Sequence, residues 1–128
     1  MSAPPTPVAR AQTELAACRA LVAGGFPTQA VSRAYYAVFY AAEAALALLG
    51  LQRRKHAGLI SAFAEHLVRP GEIEPQCGKI LQSLFAQRNA ADYGAPGATD
   101  EDATLAIGDA ERFIAAVEAW LAKRESGR

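Results

Sequence analysis

The sequence predicts an all-α fold, a four-to-five-helix antiparallel up-and-down bundle, on three observations. Thirty of the 128 residues are alanine, the residue with the strongest helix propensity. Apolar residues recur at three- and four-residue spacings in five segments, and no run alternates with period two for the length of a strand. Glycine and proline stand at the breaks between those segments. With 52% hydrophobic and 20% charged residues, the chain is sized for one domain. That domain is expected over residues 8–126, behind a flexible leader at residues 1–7.

Each element has its own signals. The first helix is expected over about Pro7–Ala23, with Val8, Ala11, Leu15, Cys18 and Val22 on one stripe and Gly24-Gly25 as its stop. The second runs from about Thr28 to Leu49, started by Pro27-Thr28 and stopped by Gly50. It is apolar nearly all round, as befits a helix that the others contact. The third covers about His56–Leu67, facing inward with Leu59, Ile60, Phe63 and Leu67 before Pro70-Gly71 breaks the chain. The fourth spans about Pro75–Asp92, with proline in its first turn and Gly94 and Pro96 beyond its end. In the fifth, from Thr99 to about Arg124, the Thr99 hydroxyl can cap the Asp102 N–H, and Asp100, Glu101 and Asp102 complement the helix dipole.

Composition removes several function classes. Thirteen basic residues balance thirteen acidic ones, which excludes a polybasic nucleic-acid arm but leaves room for a local basic patch. Cys18 and Cys77 stand far apart with no CxxC or histidine neighbour, so they read as core residues rather than a disulfide scaffold or zinc finger. The first seven residues have no basic or apolar signal region, and a cytoplasmic protein is expected. Ala34–Leu51 approaches the length of a membrane span with Glu43 as its only charge. Its alanine and tyrosine content, and the apolar stripes elsewhere that need covering, make it a buried central helix and not a membrane segment.

The informative residues are those a plain bundle fails to explain. On the fourth helix the inward line of Leu81, Leu84 and Phe85 continues with Arg88 and Asp92. On the second helix Arg33, Tyr36, Tyr40 and Glu43 form a polar-aromatic stripe. Buried charge is costly unless paired. One reading makes Arg33, Glu43, Arg88 and Asp92 partners in inter-helix ion pairs. The other has Arg88 and its neighbours line a cleft, where the guanidinium fork suits phosphate. A second anomaly is Arg53-Arg54-Lys55-His56 before the third helix. Cations there oppose the dipole by roughly a few tenths of a kcal/mol each, and would suit an anion together with free backbone N–H groups. Glycine-rich phosphate loops, HExxH and GxSxG are all missing. No metal or other cofactor is expected.

Three segments carry a family resemblance: S-R-A-Y-Y-A-V-F-Y-A-A-E at Ser32–Glu43, K-H-A-G-L-I-S-A-F at Lys55–Phe63, and R-N-A-A-D-Y at Arg88–Tyr93. In their order and spacing the chain resembles the HEPN superfamily, and within it the small stand-alone prokaryotic HEPN proteins. The resemblance implies a four-to-five-helix bundle and, for catalytic members, metal-independent RNA cleavage. Their motif is an arginine, a polar residue, three variable positions and a histidine, two copies meeting across a dimer. Arg88 and Asn89 match the first two positions, but Tyr93 stands where histidine belongs, and no histidine follows in 94–100. A tyrosine, with an ordinary pKa of about 10, is a poor proton shuttle at neutral pH.

The resemblance therefore implies three readings. The first is an interaction module, a homodimer that binds a nucleotide or RNA phosphate through Arg88 and the Arg33 stripe. Its expected partner is a small nucleotidyltransferase-type protein, as in the toxin–antitoxin pairs this family supplies. The second is an active endoribonuclease toxin, with Arg88 stabilising the transition state, Asn89 orienting it, and Tyr93 or His56 replacing the imidazole. The third is a purely structural bundle. The candidate catalytic residues are Arg88, Asn89 and Tyr93. Arg33, Tyr36, Arg53, Arg54, Lys55, His56 and Asp92 are the candidate nucleotide- or RNA-binding residues.

Overall fold

A computed structural model describes residues 6–52, 55–93 and 96–126. Five helices follow in order: α1 Pro7–Ala23, α2 Pro27–Leu48, α3 His56–Phe63, α4 Pro75–Asp92 and α5 Asp100–Ser126. No strand occurs among the described residues. The Thr6 hydroxyl accepts the Ala9 N–H at 3.1 Å and Pro7 opens α1 without needing an N–H. The last residues of the expected leader are thus the cap and first turn of a helix.

Helix α2 is the axis of the molecule. Eleven of its residues are buried, including Ala30, Val31, Ala34, Tyr35, Val38, Ala42 and Leu46, and α1, α3, α4 and α5 all pack against it. Its alanines let neighbouring helices come close, because inter-axial distance is set by the side chains at the contact. Gly50, at φ 75°, ends α2 in the left-handed region that glycine adopts without strain. No helix among the described residues is long and apolar enough to cross a membrane.

Helix α3 ends at Phe63, short of the expected Leu67, and the rest of the expected span is one π-helical turn, Ala64–Val68, after which the Arg69 N–H bonds the Ala64 carbonyl at 2.9 Å. Gly71, at φ 81°, then turns the chain into α4. Helix α4 buries Cys77, Ile80, Leu81 and Leu84, and Phe85 lies half-buried where the helix begins to leave the core. Helix α5 starts on a reciprocal cap: the Asp102 N–H donates to Thr99 Oγ1 at 3.0 Å, and the Thr99 N–H to Asp102 Oδ2 at 2.9 Å. Thr28 Oγ1 accepts the Ala98 N–H at 3.0 Å, tying this segment to the start of α2. Phe63 and Phe113 stack at 5.1 Å in the core. Cys18 and Cys77 are both buried and free, and burial pushes their thiols up to about 11 and about 12, which keeps them protonated and unreactive.

Candidate functional site

Arg88 and Tyr36 meet between α4 and α2. Three positions after Phe85, the Arg88 side chain is 21% exposed. Its Nη2 donates to Tyr36 Oη at 3.1 Å and its Nη1 to Asn89 Oδ1 at 3.1 Å. The guanidinium also lies 5.5 Å from the Tyr36 ring centre and 5.9 Å from that of Tyr35. Asp92 Oδ2 approaches Nε to 3.0 Å, but off the line of the N–H bond, so the buried Nε keeps its donor unspent. Asp92 is 44% exposed. Arg88 is therefore fixed mainly by neutral acceptors, and its one carboxylate partner is nearly half exposed to water.

The expected inter-helix ion pairs resolve differently residue by residue. Arg33 does cross between helices, but to Glu14 of α1 at 2.9 Å, while its guanidinium lies 4.8 Å from the Tyr36 ring centre. Arg88 and Asp92 pair within α4 itself. No described residue bonds the Glu43 side chain. The stripe on α2 is nevertheless continuous, because Tyr36 and Tyr40 are 6.4 Å apart and Arg10 of α1 lies 4.1 Å over Tyr40.

His56 joins this cluster from the first position of α3. Its ring stacks on Phe85 at 5.9 Å and 18° and lies 4.8 Å from Phe39. Its Nδ1 is 2.6 Å from Tyr35 Oη. Tyr35 has no exposed surface, and burial pushes its hydroxyl pKa well above the usual range, so it stays protonated. The described residues offer that buried O–H one acceptor, His56 Nδ1. Leaving the hydroxyl hydrogen unpaired would cost about 1–3 kcal/mol, so Tyr35 donates and Nδ1 accepts. The neutral imidazole then carries its hydrogen on Nε2, which takes no described partner and is not sealed from solvent. Burial first, and the Arg88 charge second, lower the His56 pKa from 6.5. His56 is thus a neutral donor, with the lone pair a general base needs already occupied.

The other candidates sit apart. Tyr93 is 86% exposed just beyond the end of α4, where its N–H bonds the Asn89 carbonyl at 3.1 Å. Lys55 is exposed, in extended backbone before α3. Arg53 and Arg54 lie outside the described residues. Tyr35, Glu14 and Arg10 complete the cluster and were not singled out from the sequence, which placed Phe85 only on the inward line of α4. For Tyr35 a signal existed, since a tyrosine on a buried helix face needs a partner for its hydroxyl.

Comparison with known proteins agrees with this architecture. A candidate toxin of Methanocaldococcus jannaschii is 38% identical over 104 residues, covering 81% of this chain and 78% of that protein. A UPF0332 protein of Gloeobacter violaceus is 34% identical over 116 residues, covering 89% and 92%. Another UPF0332 protein, from Thermotoga maritima, is 37% identical over 90 residues, covering 70% and 68%. The HEPN domain family matches residues 8–120, the span from the start of α1 to Trp120 near the end of α5, and the chain belongs to that family.

Proposed function

We propose that the Arg88 cluster binds a phosphate of RNA or of a nucleotide, and that the protein acts as a homodimeric interaction module of a toxin–antitoxin or defence system. The observation that carries this reading is the state of Arg88. Its guanidinium is held by Tyr36 and Asn89 with its charge only partly met by a hydrated Asp92. A planar fork with unspent donor capacity suits a phosphate oxyanion. Arg33, stacked on the same tyrosine, adds a second cation, and the His56 Nε2 hydrogen adds a neutral donor. Relatives named as candidate toxins support the biological setting, and a nucleotidyltransferase-type partner in the cytoplasm fits it. Binding of inorganic phosphate and tRNA by wild type, lost in Arg88→Ala at unchanged fold, supports the proposal. Equal binding by the variant overturns it.

One observation favours a second reading, an active metal-independent endoribonuclease: the fold carries a histidine to the Arg88 cluster after all. Cleavage needs a group to take the 2′-hydroxyl proton and one to protonate the leaving oxygen. His56 offers its hydrogen but not its lone pair, and Tyr93 stands at the exposed end of α4. Without acid/base assistance the rate falls by roughly 10²–10⁴, leaving electrostatic stabilisation by Arg88 alone. Binding with cleavage that is absent or very slow follows.

A further inference from the structure

Glu43 is the residue of the α2 stripe that the Arg88 cluster does not absorb. It lies in a groove of about 520 Å³ between α1 and the C-terminal half of α2, lined by Pro7, Arg10, Phe39, Tyr40, Glu43 and Leu51 among others. That volume falls within the range of small-ligand sites. One wall is preassembled: the Arg10 guanidinium lies 4.1 Å from the Tyr40 ring centre and its Nη2 donates to Tyr40 Oη at 2.9 Å. Arg10 is exposed and pairs with no carboxylate among the described residues, so its guanidinium can stack against a planar group. Phe39 and Leu51 add apolar surface. Glu43 is half-buried in the same groove, with no described donor on its carboxylate.

We propose that this groove binds a guanine base, stacked against Arg10 and Tyr40, with Glu43 accepting its N1–H and N2–H. The Watson–Crick edge of guanine sets two donors side by side, matching the two oxygens of one carboxylate. Adenine, cytosine and uracil each place an acceptor beside their donor, which would face a carboxylate oxygen and repel it. An adjoining recess of about 280 Å³ shares Arg10 and Tyr40 and is also lined by Thr13 and by the Arg33–Glu14 ion pair, which leaves Arg10 as its cation without a carboxylate partner among the described residues, to face the attached sugar and phosphate. Neither recess includes Arg88, although Arg33 lines the smaller one, so the base-binding groove itself is separate from the Arg88 cluster.

The test is calorimetric titration of the full chain with guanosine and adenosine, on wild type, Glu43→Gln and Arg88→Ala. Guanosine carries no phosphate and so reads the base site alone. Saturable guanosine binding is expected, with adenosine at least about tenfold weaker, and a loss of at least about tenfold in Glu43→Gln at unchanged melting temperature, since charged hydrogen bonds are at stake. Guanosine affinity in Arg88→Ala should match wild type, even where phosphate binding is lost. Guanosine monophosphate and a short adenosine-rich RNA with one guanine then identify the source: the tighter of the two is the natural form of the same ligand. Equal binding of adenosine, undiminished binding by Glu43→Gln, or no saturable guanosine binding overturns the proposal.

Discussion

Replacing Tyr35 with phenylalanine isolates the contact that decides what His56 can do. The change removes one hydroxyl and leaves the ring, so the contacts with Tyr36, Phe39, His56 and Phe85 remain and no cavity forms. What is lost is a buried hydrogen bond of 2.6 Å, worth roughly 1–2 kcal/mol once the bare Nδ1 is counted. For a chain of this length that lowers the melting temperature by roughly 3–10 °C at pH 7. The titration of His56 should change as well. In the wild type its pKa lies below 6.5, so the unfolded chain takes up a proton that the folded one refuses. Stability therefore falls as pH drops below about 6.5, and the penalty is absent above it. In Tyr35→Phe the Nδ1 lone pair loses a bond that favours the neutral imidazole, so the His56 pKa rises while burial and Arg88 still hold it below 6.5, and the variant loses less stability on acidification than wild type. Imidazole nitrogen spectra recorded against pH, with His66→Gln to assign the two histidines, read both the tautomer and the pKa. A wild-type imidazole protonated on Nδ1, or an identical His56 titration in the variant, would refute the reasoning.

Other perturbations follow from the same geometry. Arg88→Ala removes a pair within one helix worth about 0.3–0.5 kcal/mol and two hydrogen bonds, to Tyr36 and Asn89, worth about 1 kcal/mol each, and leaves Asp92 half-exposed to water. Thermal unfolding should show a loss of no more than about 2.5 kcal/mol, whereas a buried orphaned carboxylate would cost about 3–5 kcal/mol. Glu14→Gln frees Arg33 from its carboxylate at a cost below about 1 kcal/mol, and filter binding should show tighter RNA association. Light scattering at micromolar concentrations should give the mass of a homodimer, and a monomer would count against the two-fold assembly.

Much of the architecture was legible because it follows from local signals. The spacing of Leu81, Leu84 and Phe85 set the buried face of α4, Thr99 and Asp102 announced the α5 cap, and the apolar circumference of α2 marked it as central. The arginine and tyrosine stripe was legible as an anomaly, since it breaks the pattern that burial demands. Partner choice was not. Glu14 meets Arg33 across nineteen positions and His56 meets Tyr35 across twenty-one, and helix periodicity carries no information about which faces of different helices come together. The π turn after Phe63 escaped for a similar reason: its side chains keep an apolar spacing that an ordinary helix also satisfies. His56 shows both limits. Its residue type pointed to proton transfer, while the tautomer that denies it that role depends on a hydroxyl from another helix.

The central claim is that the Arg88 cluster holds RNA without cleaving it efficiently. Incubating purified protein with tRNA beside its Arg88→Ala variant, and following complex formation and strand integrity in the same samples, tests it directly. Wild type is expected to form a complex with intact RNA, and Arg88→Ala to form none. Efficient multiple turnover by wild type, abolished in Arg88→Ala and in Tyr93→Phe, would contradict it and assign Tyr93 the proton-transfer role of the absent histidine.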